Sequence, residues 1–448
     1  MVRNHFHGCV FVLLSGWTQF RFNRYTLKKS HMGKTEIGIV VGGTRGDVQP
    51  ALVLGRALQD SGYAITIVAG SNFERWVQSR DLNFEDLGVD IRAMMESPAG
   101  KAWTRSGSLT QLVHMKRLVS GYSDVIVKRS VDVLPKFDAI ISGLTTFAQA
   151  AVVAQTRDIP LFHLLFQPMY PTRSGAVSPS PVRKTAYSKL NLFTYPMMLR
   201  GLWYAYGSAM RETCDLLGVE EMTYKDFSNA WLNTPTVIAA SPEVIPPPPD
   251  YPSHVHVTGF LFLDQGVGWT PPQDLSDFLE SGEPPVYVGF GSMTGHASED
   301  AALLIDALDG RRAVINQGWS DMHYSNLPDS VYLLKGAPHD WLFPRMSAVV
   351  HHGGAGTLAA SLRAGVPILV IPHLADQFYF GRRVHELGAG PKPIPRKNLN
   401  AKSLKSALDE LLENETFQAE SERLGRKIQQ ENGVENIVAV IEGYLQSN

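Results

Sequence analysis

Two histidines and a run of very small residues, HHGGAGT over 351–357, stand between an apolar run, SAVV, and a helical one, TLAASLRAG. Glycines at such a junction permit a tight turn and close approach of the backbone. The helix that follows begins with N–H groups that no bulky side chain covers, and a helix start of this kind binds phosphate through its dipole and its unpaired donors. His352 adds a donor to the same phosphate oxygens. The glycines also suit plain strand-to-helix packing, with the histidines as core residues. Downstream, VPILVIPHLADQF ends on Asp376 and Gln377, side chains suited to vicinal sugar hydroxyls; Asp376 equally fits the N-cap of QFYFGRRVHELG. Far upstream, GGTRGDVQP sets Asp47 at a second strand-to-helix turn. There it serves either as an N-cap or as a general base.

Weaker pieces accompany these. GFGSM (289–293) ends an apolar run with small residues and the Ser292 hydroxyl, again open to phosphate. It fails as a dinucleotide fingerprint, because Thr294 stands where the third glycine of GxGxxG belongs, and GGTRGD breaks that spacing too. GAPHDWLFP (336–344) fits a loop whose backbone reads the edge of a flat base, with His339 near a ribose. Trp341 in the same loop suits packing more than stacking.

These groups need elements to hold them. The chain has 448 residues, 44% hydrophobic and 19% charged, enough for more than one core. A net charge of -2 provides no global field for nucleic acid, so any anion must be held by local features. Two cysteines, Cys9 and Cys214, make neither a disulfide framework nor a cysteine-rich zinc site, which fits a cytoplasmic setting. No stretch reaches the roughly 18 apolar residues of a spanning helix. VFVLLSGW (10–17) resembles a secretory core without a clean cleavage site.

From Ile37 the pattern runs IGIVV, turn, helical VQPALVLGRALQDSG, then YAITIVAG; FDAIISG, a helical run and IPLFHLLF repeat it. Short apolar runs separated by helical periods predict a parallel sheet buried on both faces. Four prolines at 246–249 interrupt the alternation, which restarts with PPVYVGFGS, RRAVINQG, VYLLKGA, SAVVHH and VPILVIP. The expected architecture is α/β, two doubly wound Rossmann-like domains facing a central cleft. Residues 1–32 are set aside as a leader outside the fold, 33–240 form the first domain, 241–272 a Pro-rich linker, 273–430 the second domain, and 431–448 a helix packing back toward the first.

Taken in order, GGTRGDVQP, TGF, GFGSM, GAPHDWLF, HHGGAGT, LRAGVP and ADQFYFG resemble the family 1 nucleotide-sugar glycosyltransferases of the GT-B fold. The nearest branch is the sterol 3-beta-glucosyltransferases, with the glycopeptide and macrolide antibiotic glycosyltransferases beside it. That resemblance implies transfer of a hexose, most simply glucose, from a UDP-sugar to an acceptor hydroxyl with inversion. Donor binding falls to the second domain: Ser292, His352, Gly354 and Thr357 on the diphosphate, Ala337 and His339 on the nucleoside, Asp376 and Gln377 on the sugar. Asp47 takes the place of the catalytic histidine of many plant and animal relatives. HGGAG replaces their HCGWN, so the Trp and Asn contacts of that motif have no side chains here. No DxD occurs, and the branch is expected to need neither metal nor cofactor beyond the nucleotide sugar.

The acceptor belongs to the first domain. FHLLFQPMYPTR (162–173) and LFTYPMMLRGLWYAYG (192–207) are rich in aromatic residues and Met, which suit a flat lipophilic molecule or equally a core. Phe147, Phe166, Met169 and Tyr170 are the expected acceptor contacts. A sterol acceptor rests on the resemblance, as does transient contact with a membrane surface. The alternatives are a transferase of secondary metabolites using a UDP- or dTDP-sugar, and a nucleotide-sugar-binding protein without catalysis.

Overall fold

The computed structural model describes residues 34–106, 110–180, 182–290, 297–317, 327–374 and 376–446. Ser292 and the leader expected over 1–32 lie outside them.

The first half opens on β1 (Glu36–Val40), buried at every residue after the first. Ile and Val on both faces suit a central parallel strand. The chain returns through α1 (Arg45–Asp60), whose Val48, Ala51, Leu52, Leu54 and Leu58 recur at helical spacing and are all buried. β2 (Ala64–Ala69) then pairs parallel with β1, Ile37 opposite Ile65. β3 (Asn83–Asp86), α2 (Gln111–Val133), β4 (Ala139–Ser142), β5 (Leu161–Leu165), α3 (Thr194–Leu217), β6 (Thr236–Ile238) and β7 (Val255–Val257) follow. The sheet order is β3-β2-β1-β4-β5-β6-β7, parallel throughout.

The second half contains β8 (Val286–Gly289), β9 (Ala313–Asn316), β10 (Val331–Leu334), β11 (Ala348–His351), α4 (Ala355–Ala364), β12 (Ile368–Val370) and α5 (Gln377–Glu386). Its parallel sheet runs β10-β9-β8-β11-β12. Strand order reverses between β1 and β4 in one sheet and between β8 and β11 in the other. Such switch points open the crevices where α/β folds bind ligands.

Three strands escape the apolar-run signal. β3 reads NFED, polar apart from Phe84, as an edge strand can be. β6 and β7 are three residues each, too short for a period. β7 lies inside the stretch expected to be linker, five residues past Asp250, and it closes the edge of the first sheet.

The last helix, α6 (Gly433–Gln446), crosses back: Ile437, Ile441 and Leu445 join the core beside Ile37, Ile39 and Leu52. Tyr444 meets Phe162 edge-on at 6.0 Å. The two passages between halves touch. A side chain on Gly259, at φ +119°, would put its Cβ 2.7 Å from the Gly433 Cα, so backbone packs on backbone there.

Candidate active site

Each switch point carries one of the two groups the sequence singled out. After β1, the turn 41–44 leads into α1 with Asp47 as its third residue. The Thr44 hydroxyl makes no capping bond. Gly43 leaves room for the Asp47 carboxylate, which a methyl group there would overlap and push aside. Pro50, one turn further on, has no N–H and leaves the Gly46 carbonyl without its helical donor. Burial pushes the Asp47 carboxyl up to about 6, against a smaller downward pull from the backbone N–H groups of Thr44 and Asp47 itself. The end of β1 is tied to the turn that follows β4, where the Thr146 hydroxyl donates to the Val40 carbonyl at 3.0 Å. The Tyr206 hydroxyl of α3 feels the Asp47 charge.

Across the cleft, β11 ends at His351, paired with Gly289 of β8. The two histidines divide the work. His351 is fully buried, and its Nδ1 accepts a hydrogen bond from the Gly353 N–H at 3.0 Å, which closes the turn. Gly353 has φ +93°, and a Cβ there would lie 2.8 Å from Val370, so both conformation and space demand glycine. His352 is half-buried, and a Cβ on Gly354 would stand 2.5 Å from its Nε2. Its imidazole therefore lies over the start of α4. Burial pushes His352 down to about 4, so it meets a ligand as a neutral ring. Gly354 is the N-cap and supplies no side chain, which leaves the first-turn N–H groups up to Thr357 unpaired within the helix. A Cβ on Gly356 would have nothing within 4 Å.

The other residues expected on the donor side lie on the elements next to this helix start. His339 stacks on Phe343 at 4.3 Å and 16°. It is pushed down to about 4 by burial and then by the charges of Arg45 and His352. Ala337 is half-buried in the same loop. Trp341 packs edge-on against Trp269 at 5.0 Å. Asp376 occupies the N-cap position of α5 without making a capping hydrogen bond. Its carboxyl is pushed up to about 7, mainly by burial and in part by the charge of Asp47. The Gln377 Oε1 is bound by the N–H groups of His373 at 2.8 Å and Leu374 at 3.1 Å. Only its amide hydrogens are left for a ligand.

The expected acceptor contacts are less gathered. Phe147 is 1% exposed and locked among His163, Phe227 and Trp231. Tyr170 is 0% exposed and donates to the Trp231 carbonyl at 2.6 Å. Met169 is buried as well, and only Phe166 keeps some surface. Phe147 and Tyr170 are thus core residues in this conformation, without surface to offer an acceptor.

Arg45 was passed over in the sequence, although it stands between the glycine turn and Asp47. Its Nη2 donates to the Gln265 Oε1 at 3.0 Å, its guanidinium lies 5.1 Å from the Trp76 ring, and its charge reaches His339. Gly266, next to Gln265, donates its N–H to the Asp340 carboxylate at 2.7 Å. One chain of contacts thus links the turn of Asp47 to the loop of His339. The signal available in the sequence was a lone cation in an otherwise small, polar turn.

Two facing Rossmann-like halves, a half-buried carboxylate at one switch point and an uncapped helix start at the other define a GT-B glycosyltransferase. The crystal structure of the calicheamicin glycosyltransferase CalG4 matches 93% of this chain and 99% of its own, with a TM-score of 0.66 at 18% identity. Residues 37–134 match the glycosyltransferase family 28 N-terminal domain, and 305–442 match the erythromycin biosynthesis protein CIII-like C-terminal domain. A sterol 3-beta-glucosyltransferase of Arabidopsis thaliana is 30% identical over 425 residues, covering 92% of this chain and 68% of that protein. The Aspergillus clavatus sterol 3-beta-glucosyltransferase is 32% identical over 419 residues, 89% of this chain but 29% of its own length. The chain belongs to the sterol 3-beta-glucosyltransferase family. It spans about two-thirds of the plant relative and less than a third of the fungal one.

Proposed function

We propose that the protein transfers a hexose, glucose in the simplest case, from a UDP-sugar to the hydroxyl of a sterol, with inversion at the anomeric carbon. The observation that supports this most is that the Asp47 carboxylate and the α4 start lie at facing switch points, with Asp376 within reach of the Asp47 charge. In this reading the acceptor hydroxyl attacks the anomeric carbon from the face opposite the diphosphate, and its proton passes to Asp47. The bond from the anomeric carbon to the diphosphate oxygen breaks, and UDP leaves with the electron pair. The charge that grows on it meets the first-turn amides of α4 and the neutral His352, donors already in place before reaction. Asp376 and the Gln377 amide hold the sugar hydroxyls, and Ala337 and His339 flank the nucleoside. No step calls for a metal.

A burial-raised carboxyl near 6 suits a general base at neutral pH, being largely ionised yet basic enough to take a proton during attack. The acceptor assignment draws on the family and on the apolar character of the first half. A second reading, transfer of a sugar to a polyketide or other secondary metabolite, draws on the erythromycin-type match over 305–442. Incubation with labelled UDP-glucose and a panel of sterols, macrolides and phenolics separates the two. A glucoside of a sterol is the expected product; product only from the other acceptors overturns the sterol reading. Among the described residues no helix is long and apolar enough to cross a membrane, and the protein is proposed to work on the cytoplasmic side, meeting its lipid at a membrane surface.

A further inference from the structure

We propose that the amino-terminal ends of α2 and α3, with the loop that precedes α3, form a docking face for an anionic lipid bilayer. The proposal rests on the sterol reading for its purpose and on separate observations for its place.

The first is charge. Between Asp158 and Glu212 the chain contains no acidic residue and six basic ones, Arg173, Arg183, Lys184, Lys189, Arg200 and Arg211. Between Glu96 and Asp124 it again contains no carboxylate. Such segments are unexpected in a protein whose net charge is -2. Arg183 is paired with Glu386 and Arg211 with Glu221, and Asp250 binds the Arg173 N–H. Lys184, Lys189 and Arg200, and Lys116 of α2, have no carboxylate at ion-pair distance among the described residues.

The second is apolar exposure on one stripe. Leu190, Phe193, Met197 and Tyr204 are 54%, 66%, 73% and 42% exposed. Positions 193, 197, 200 and 204 follow helical spacing. The opposite side of the same helix buries Tyr195, Leu199, Leu202 and Tyr206. The aromatic richness of this stretch therefore divides into a core face, which includes the Tyr206 near Asp47, and an outer face.

The third is continuity. α2 runs alongside: Leu112 would lie 3.6 Å from a Cβ on Gly201, and the Lys116 ammonium sits 4.2 Å from the Tyr204 ring. Val113 is 47% exposed. Ser123 meets Glu212 at 2.9 Å, so carboxylates appear only toward the far ends of both helices. The near ends also carry the positive poles of the helix dipoles.

Lysine and arginine beside protruding Phe, Met and Leu match the boundary between lipid headgroups and acyl chains, where cations reach phosphates and apolar side chains enter the bilayer. A second copy of this face would set cation against cation. Nucleic acid would leave Leu190 and Met197 in water.

The test is co-sedimentation with vesicles of phosphatidylcholine alone and with one-third phosphatidylserine. The wild-type chain should bind the mixed vesicles and lose binding at high salt, because each surface lysine contributes on the order of fivefold. The double variant Lys184→Gln, Lys189→Gln and the double variant Phe193→Ser, Met197→Ser should each bind at least about tenfold less. Both should still transfer sugar to a detergent-solubilised acceptor. Absence of wild-type binding to the mixed vesicles, equal binding by both variants, or a wild-type dimer dispersed by Phe193→Ser, Met197→Ser overturns the proposal. Failure of every sterol as acceptor with vesicle binding intact overturns the sterol reading instead and leaves the docking face standing.

Discussion

Asp47 and Asp376 belong to different halves of the chain, yet the charge of Asp47 raises the Asp376 carboxyl. The proposed general base and the proposed sugar-side carboxyl therefore share one electrostatic environment. Their proton affinities, near 6 and 7, lie well above the usual aspartate value.

The rate should follow the ionisation of Asp47. With saturating donor, transfer is expected to fall as pH drops through about 6. A pH–rate profile checks it; a rate unchanged down to pH 5 removes Asp47 as the base. Asp47→Asn should lower kcat by roughly 10²- to 10⁴-fold and leave UDP affinity, read by calorimetry, nearly unaltered.

Stability should run the other way. A carboxyl whose affinity for protons is raised on folding binds more protons folded than unfolded between its two pKa values. Stability therefore declines from about pH 4 to about 7, and the penalty is complete above that. Asp47→Asn and Asp376→Asn should each stabilise the protein at pH 8, on the order of 1–3 kcal/mol, and by little at pH 4. Melting temperatures of both variants across this range provide the measurement. Destabilisation at pH 8 would contradict the burial assigned to these groups.

Gly43 offers a test that leaves the carboxylate in the chain. In Gly43→Ala the new methyl displaces the Asp47 side chain. A misplacement of about 1 Å costs roughly 10²-fold in rate, so kcat should drop while the UDP dissociation constant stays constant. Wild-type turnover would show that Asp47 acts from another position.

On the donor side, His352→Ala should weaken UDP binding by about tenfold, the worth of one hydrogen bond to a charged group, with acceptor binding preserved. Gly354→Ala should do the same by pushing the imidazole off the helix start. Equal loss of donor and acceptor affinity would point to unfolding.

Much of this was legible because it is local. The glycine turns, the helix starts behind them and the long Ile/Val strands each depend on a few adjacent residues, so pattern and position coincide. What escaped depends on partners distant in sequence. The Arg45 to Gln265 contact joins residues 220 apart. Gln377 reads as a sugar ligand by type, but its oxygen is taken by the His373 and Leu374 amides. Phe147 and Tyr170 have the composition of a lipophilic pocket, and only the packing of Trp231 and Phe227 against Phe147 shows that they are core. Asp376, equally suited to capping or to sugar, stands at the cap position without the cap bond.

Gly259 and Gly433 are pressed together where the chain leaves the first half and where it comes back. Both connections are therefore clamped backbone to backbone at one spot, and a side chain at either glycine would wedge the outgoing and returning strands of chain apart.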